Sequence, residues 1–148
     1  MSKADLQVNP CNEKKRIESF LRNVNESFGV ALNERVDLVE YSEKLYKRAV
    51  NHFISVNAKD IGHVAFYLNY DERECFVSTI AVLPDHSGQG YGTRLMNLVI
   101  ETARDHDMAR VALEADRNAP HLLCFYRKFG FVERNRSTYR SVQLVMPL

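Results

Sequence analysis

Ile17, Phe20, Leu21, Val24 and Phe28 recur at intervals of three and four, drawing one apolar stripe along a helix that Gly29 is placed to end. A second helix is expected from Asp37, where Asp37 and Glu40 resemble a capping box and Leu38, Leu45, Tyr46 and Ala49 supply the buried side. Around His52 the period changes from helical to extended. HFISVN, IGHVAFYLN and ECFVSTIAVL are rich in β-branched and aromatic residues, and short polar clusters at Asn57–Asp60 and Asn69–Glu74 separate them, so they predict an antiparallel meander of three strands. Then Tyr91, Leu95, Leu98, Val99 and Ala103 face one way and Arg94, Asn97, Glu101 and Arg104 the other, which predicts a helix to about His106. RVALEA reads as a short strand, His121 to Phe129 as a short helix ending at Gly130, and FVERN and YRSVQLVMPL as two closing strands. LQVN is a candidate for a strand ahead of them all.

A chain of 148 residues, 45% hydrophobic and 26% charged, suits one globular domain over residues 1–148 with a single core. The opening MSKADLQVNPCNEKKR has no apolar region behind its charges, and no long apolar run follows, so neither a secretory signal nor a membrane span is expected, and a cytoplasmic protein is. The formal net charge of +1 offers nucleic acid and anionic lipid nothing, which leaves a small molecule as the expected partner. Cys11, Cys75 and Cys124 are odd in number and scattered, which argues for reduced thiols rather than a disulfide framework or a zinc site. His52, His63, His86, His106 and His121 show no metal-ligand spacing, and no metal is expected. His121 and Cys124, three apart, permit a thiol with a nearby base; a buried Cys beside a surface His is the plainer account.

The densest chemistry lies in LPDHSGQGYGTRLM, with Gly88, Gly90 and Gly92 running straight into a helix. A nucleotide phosphate loop needs Lys followed by Ser or Thr after its last glycine; here Thr93 and Arg94 follow, and that reading fails. A dinucleotide loop needs the spacing GxGxxG after the first strand of a βαβ unit; here the spacing is GxGxG after a meander. What remains is a row of backbone N–H groups at the positive end of a helix, a geometry that binds a pyrophosphate without side-chain charge. A glycine-rich turn that merely suits the backbone is the competing account of this stretch alone.

IAVLPDHSGQGYGTRLM resembles motif A of the GNAT superfamily of acyl-CoA-dependent N-acetyltransferases, and FYRKFGF (Phe125 to Phe131) is similar to that family's aromatic-Tyr-x-x-x-Gly-Phe segment. The order of elements matches the family from about Asp5 to Leu148. The resemblance implies an α/β (α+β) fold: a single domain with a central mixed, mostly antiparallel sheet flanked by helices, and a splay between the fourth and fifth strands. It implies a transferase moving an acetyl group from acetyl-CoA, without a metal, to a primary amine of a small molecule, with a sugar or protein amine as further options. Backbone groups near Ile80 and Val82 are implied to hold the pantetheine arm. Ser87, Gly88, Gln89, Gly90, Gly92 and Thr93 are implied to hold the pyrophosphate, and Asn118 to touch CoA after the fifth strand. Ser87 stands where the family carries Gln or Arg and reaches less far, and Asn118 stands farther ahead of Tyr126 than the family spacing.

Tyr126 resembles the general acid that protonates the departing CoA sulfur; a core tyrosine packed under Phe131 is the plain alternative. A backbone N–H near Val82 suits the oxyanion. No general base is evident. The fourth strand offers Ser78 and Thr79 where relatives carry a glutamate, Glu74 lies too far back along the strand, and Glu114 is more often structural, so water relays the proton or the amine arrives neutral. The missing carboxylate keeps a second function open, a non-catalytic acyl-CoA sensor or assembly module. Arg127, Lys128, Arg134, Arg136 and Arg140 make the end of the chain basic, most simply as a solvated face, while Asp71, Glu72 and Glu74 would suit a cationic amine. The closing strand offers an edge at which a homodimer would form.

Overall fold

The computed structural model describes residues 6–10, 13–28, 37–134 and 141–148. In chain order the elements are β1 (Leu6–Pro10), α1 (Lys14–Phe28), α2 (Leu38–Arg48), β2 (Val50–Val56), β3 (Lys59–Asn69), β4 (Glu74–Val82), a 3-10 turn at Pro84–His86, α3 (Tyr91–Asp105), β5 (Arg110–Asp116), α4 (Pro120–Phe129), β6 (Val132–Glu133) and β7 (Ser141–Pro147). The expected helix, strand and turn order is therefore present, including the early strand at LQVN. Gly29, Cys11, Arg136 and Arg140 lie outside the described residues. The strand expected over FVERN is only Val132–Glu133, and β2 begins two residues ahead of His52.

The seven strands hydrogen-bond in the order β1-β2-β3-β4-β5-β7-β6. The pairs β1–β2, β2–β3, β5–β7 and β6–β7 are antiparallel, whereas β4–β5 is parallel. The parallel pair is the consequence of sending the chain through α3 before it returns as β5. The ladder between β4 and β5 runs from Glu74↔Arg110 to Val77↔Leu113, and the two strands then continue to Val82 and Asp116. This is the splay expected between the fourth and fifth strands.

Residue contacts divide the chain into two compact units. The first comprises the described residues up to Phe66 together with Thr79–Leu98. Its β2–β3 register places Phe53 opposite His63 and Ile54 opposite Gly62, on alternate faces. Phe20 of α1 meets Phe53 and His63 edge-on at 5.8 and 5.7 Å. On the other face Gly62 makes room for α3, because a Cβ there would sit 3.3 Å from Leu95 Cδ1 and 3.6 Å from the Ala81 carbonyl oxygen. Asp37 caps α2, accepting from the amides of Val39 and Glu40. The buried side of that helix is Leu38, Ser42 and Leu45, with Tyr46 and Ala49 only half-buried; the Ser42 hydroxyl is satisfied by donating to the Leu38 carbonyl at 2.6 Å.

A polar chain runs through this interior. Asn51 donates both amide hydrogens to the carbonyls of Leu45 and Ala49, so its oxygen faces His63 and accepts from Nε2–H at 3.0 Å. His63 therefore carries its hydrogen on Nε2, and the bare Nδ1 has no partner among the described residues. Burial, with Asp60 opposing and Arg16 and His52 adding to it, pushes the imidazole down to about 3. The unfolded chain binds this proton at ordinary histidine pH and the native chain does not, so stability falls as pH drops from about 6.5 toward 3. Between pH 6.5 and 5 the expected loss from His63 is about 2 kcal/mol, read as a falling midpoint in denaturant titrations. His63→Gln, which still donates to Asn51, flattens that window down to the share of His52, whose burial also lowers its pKa. An equal slope in the variant counts against this assignment.

The second unit comprises Tyr67–Ser78 and the described part of Val99–Leu148. Val111, Leu113 and Ala115 of β5 share their buried face with Met146, Leu144 and Val142 of β7. Gly130 ends α4 with φ of 105°, a left-handed conformation that turns the chain toward β6 and sets the glycine beside Met146. At the base of the unit Glu74 is gripped by two arginines through one oxygen, Arg134 at 2.7 Å and Arg110 at 3.2 Å.

Candidate functional site

Leu83, the residue after β4, donates to the Ile61 carbonyl at 2.8 Å, which anchors the chain just before it leaves the sheet. Pro84 starts a single 3-10 turn, a role its fixed φ favours, and His86 and Ser87 return amide hydrogen bonds to Leu83 and Pro84 at 2.9 and 3.1 Å. The next residues open outward. Gly88 and Gly90 have φ of 75° and 87°, and a Cβ at either would meet nothing within 4 Å. These glycines are therefore required by backbone conformation rather than by crowding.

The first internal bond of α3 is Arg94 N–H to the Gly90 carbonyl at 3.1 Å. The amides of Tyr91, Gly92 and Thr93 thus precede the helical ladder, and those of Gly88, Gln89 and Gly90 find no backbone acceptor among the described residues. Six consecutive donors from Gly88 to Thr93 stand at the positive end of a helix running from Tyr91 to Asp105. Gly88, Gln89, Gly90 and Thr93 are exposed, and Tyr91 and Gly92 half-buried. Ser87 is exposed, but its hydroxyl donates back to the Pro84 carbonyl at 2.8 Å. The His86 ring lies 6.3 Å from that of Tyr91, a pairing across the loop that the sequence pattern did not single out. The lone glycine in IGHVAFYLN was the visible signal for the close approach of α3 at Gly62.

Ile80 and Val82, both half-buried, occupy the last turn of pleat in β4, beyond its ladder with β5. Ile80, Val82 and the stretch Ser87–Thr93 thus fall in one continuous segment of the first unit. Asn118 and Tyr126 belong to the second. Asn118 is exposed in the turn between β5 and α4, its amide donating to Asp116 Oδ1 at 2.8 Å. Tyr126 is 6% exposed, with Phe125 and Phe131 edge-on at 5.4 and 5.9 Å. Burial pushes its phenol up to about 12, so it stays protonated.

Of the two carboxylates considered as bases, Glu74 is paired and Glu114 is on the solvent side of β5. Burial alone would raise Glu74, but the hydrogen bonds and charges of Arg134 and Arg110 outweigh it and hold the group below the usual carboxylate range. An acid so paired is a structural clasp. Glu114 is exposed, opposite Gln143 on the sheet face that alternates away from Leu113 and Ala115. Cys75 is buried and its thiol pushed up to about 12 by burial and by Glu74, while Cys124 and His121 are both exposed on α4. Among the described residues no group of three or more metal-ligating side chains occurs, and no helix is long and apolar enough to cross a membrane.

An uncharacterized N-acetyltransferase of Methanocaldococcus jannaschii is 34% identical over 101 residues, which is 64% of this chain and 45% of that protein. The chain spans about half the length of the curated relatives it matches. Among solved structures, the PaiA N-acetyltransferase of Thermoplasma acidophilum in complex with coenzyme A matches with a TM-score of 0.81 at 14% identity, over 100% of both chains. The ribosomal-protein-S18-alanine N-acetyltransferase of Escherichia coli matches at 0.76 and 18% identity, over 96% of this chain and 93% of that one. These two likenesses are of fold. The profile of the acetyltransferase (GNAT) family matches residues 17–131, from the first fully buried residue of α1 through the glycine loop to Phe131, and the chain belongs to that family.

Proposed function

We propose that the chain is a single N-acetyltransferase domain that moves an acetyl group from acetyl-CoA to a primary amine of a small molecule. The observation that carries this reading is the row of amides from Gly88 to Thr93, without a backbone acceptor among the described residues, within a chain of the GNAT family. The residues fit the diphosphate of CoA: the left-handed glycines turn N–H groups outward, and nothing within 4 Å of either missing Cβ blocks an anion. The pantetheine arm would run along the open edge of β4 at Ile80 and Val82, and Asn118 is a further contact. Likeness to a protein crystallised with coenzyme A agrees with this.

The amine nitrogen attacks the thioester carbonyl, forming the N–C bond. The carbonyl oxygen takes up negative charge, for which the Val82 amide is the candidate donor. As the C–S bond breaks, the amine loses its proton and the sulfur gains one. Tyr126 is the candidate donor to sulfur, protonated throughout the working range because its pKa is raised. With Glu74 clasped by two arginines, the amine binds neutral or is deprotonated through water, and in either case the proton released as the N–C bond forms leaves through water. The fourth strand carries Ser78 and Thr79 where a carboxylate base would stand, which favours the second reading, a non-catalytic acyl-CoA sensor.

Calorimetry with acetyl-CoA, followed by thiol release with spermidine, glucosamine and a peptide bearing a free N-terminal alanine, separates the cases. Binding with turnover supports the transferase, binding without turnover the sensor, and no binding at millimolar acetyl-CoA ends both. Ser87→Arg restores a long cation at the head of the loop. The expected gain in CoA affinity is about two- to fivefold, the worth of an exposed ion pair, and it vanishes at high salt. A gain that survives high salt would argue against a phosphate contact.

A further inference from the structure

We infer that Phe131 is a positioning residue for Tyr126, an inference that rests on the acid role proposed above. No hydrogen bond to a described residue holds the Tyr126 hydroxyl. Its direction is therefore set by packing around the ring and by the backbone at its base.

Both controls converge on Phe131. The Phe131 ring is 1% exposed and meets the tyrosine at 5.9 Å and 67°, whereas Phe125 on the other contact is half-buried and so confines the ring less. The Phe131 amide also donates to the Tyr126 carbonyl at 3.3 Å, closing the left-handed turn at Gly130 onto the residue it orients. The backbone bond fixes where the tyrosine starts, and the edge-on ring resists its tilt. A tilt of about 10° at the base displaces the hydroxyl by about 1 Å, enough to spoil donation to a sulfur. A hydroxyl with no partner among the described residues can serve the leaving group while the ring beneath it stays fixed.

A double-mutant cycle tests this, using acetyl-CoA and whichever amine of the panel turns over fastest. Phe131→Leu is expected to lower kcat about five- to twentyfold in the parent chain and less than about twofold in a Tyr126→Phe background, with the Kd for acetyl-CoA unchanged in both. A purely structural role lowers kcat equally in the two backgrounds, and that result, or no loss in either, overturns the inference while leaving Tyr126 as the acid. Full turnover by Tyr126→Phe alone, or no turnover with any amine, removes the acid role and this inference with it. Phe131→Met, closer in volume, serves the same cycle where the leucine variant loses its cooperative thermal transition.

Discussion

Tyr126→Phe is expected to lower kcat by about ten- to a thousandfold while acetyl-CoA binds as before. The size follows from what the hydroxyl has to do. A phenol pushed up to about 12 is a weak acid toward a thiolate, so it serves first as a fixed hydrogen-bond donor to the charge growing on sulfur. Its removal costs the transition state and leaves the ground state alone, so kcat and kcat/KM fall together with KM steady. The ring remains in place, since Phe125 and Phe131 meet it ring to ring at 5.4 and 5.9 Å, contacts that the variant keeps. Single-turnover measurement of thiol release, with calorimetry alongside, reads both quantities. Retained turnover would reduce Tyr126 to a core residue under Phe131.

Much of this architecture was legible because period and punctuation agree. The stripe of Ile17, Phe20 and Leu21 reads as α1 because each of the three is at most 3% exposed, and Asp37 marks the start of α2 because its side chain does accept the first free amides. The glycine loop was legible for a similar reason. Two of its glycines hold positive φ, a conformation glycine adopts at less cost than residues with a Cβ. Other features depend on partners distant in sequence. That Glu74 is a clasp and not a base follows from Arg110 and Arg134, and periodicity carries no trace of such pairings. His63 looked like one histidine among five until Asn51, held by two carbonyls of the α2 end, fixed its tautomer and Phe20 and Phe53 removed it from water. Ser42 lies outside the apolar pattern of α2, yet its hydroxyl bonds the Leu38 carbonyl one turn back, so it packs inside at little cost. Among the described residues of FVERN, Val132 and Glu133 are paired with β7 as a strand, and Arg134 adds one backbone bond to Gln143.

Gly90→Asp is expected to weaken acetyl-CoA binding about a hundredfold or more, and Gly90→Asn only about tenfold. The two side chains have the same shape, and both tolerate left-handed backbone better than other residues, so they share the strain of φ at 87°. Neither collides with the protein, since a Cβ at Gly90 meets nothing within 4 Å. They differ by one negative charge placed among six amides that face a doubly charged diphosphate. At about 5 Å and an effective dielectric near that of a protein surface, one unit of repulsion is worth about 3 kcal/mol before salt screening, and screening brings it toward the roughly tenfold gap expected between the two variants. The gap between the variants should narrow as salt is raised, and melting temperature without ligand should be the same for both. Equal affinities for the Asp and Asn variants at low salt would mean that the diphosphate does not rest on this loop. The transferase and the sensor would then fall together, because both depend on that cradle.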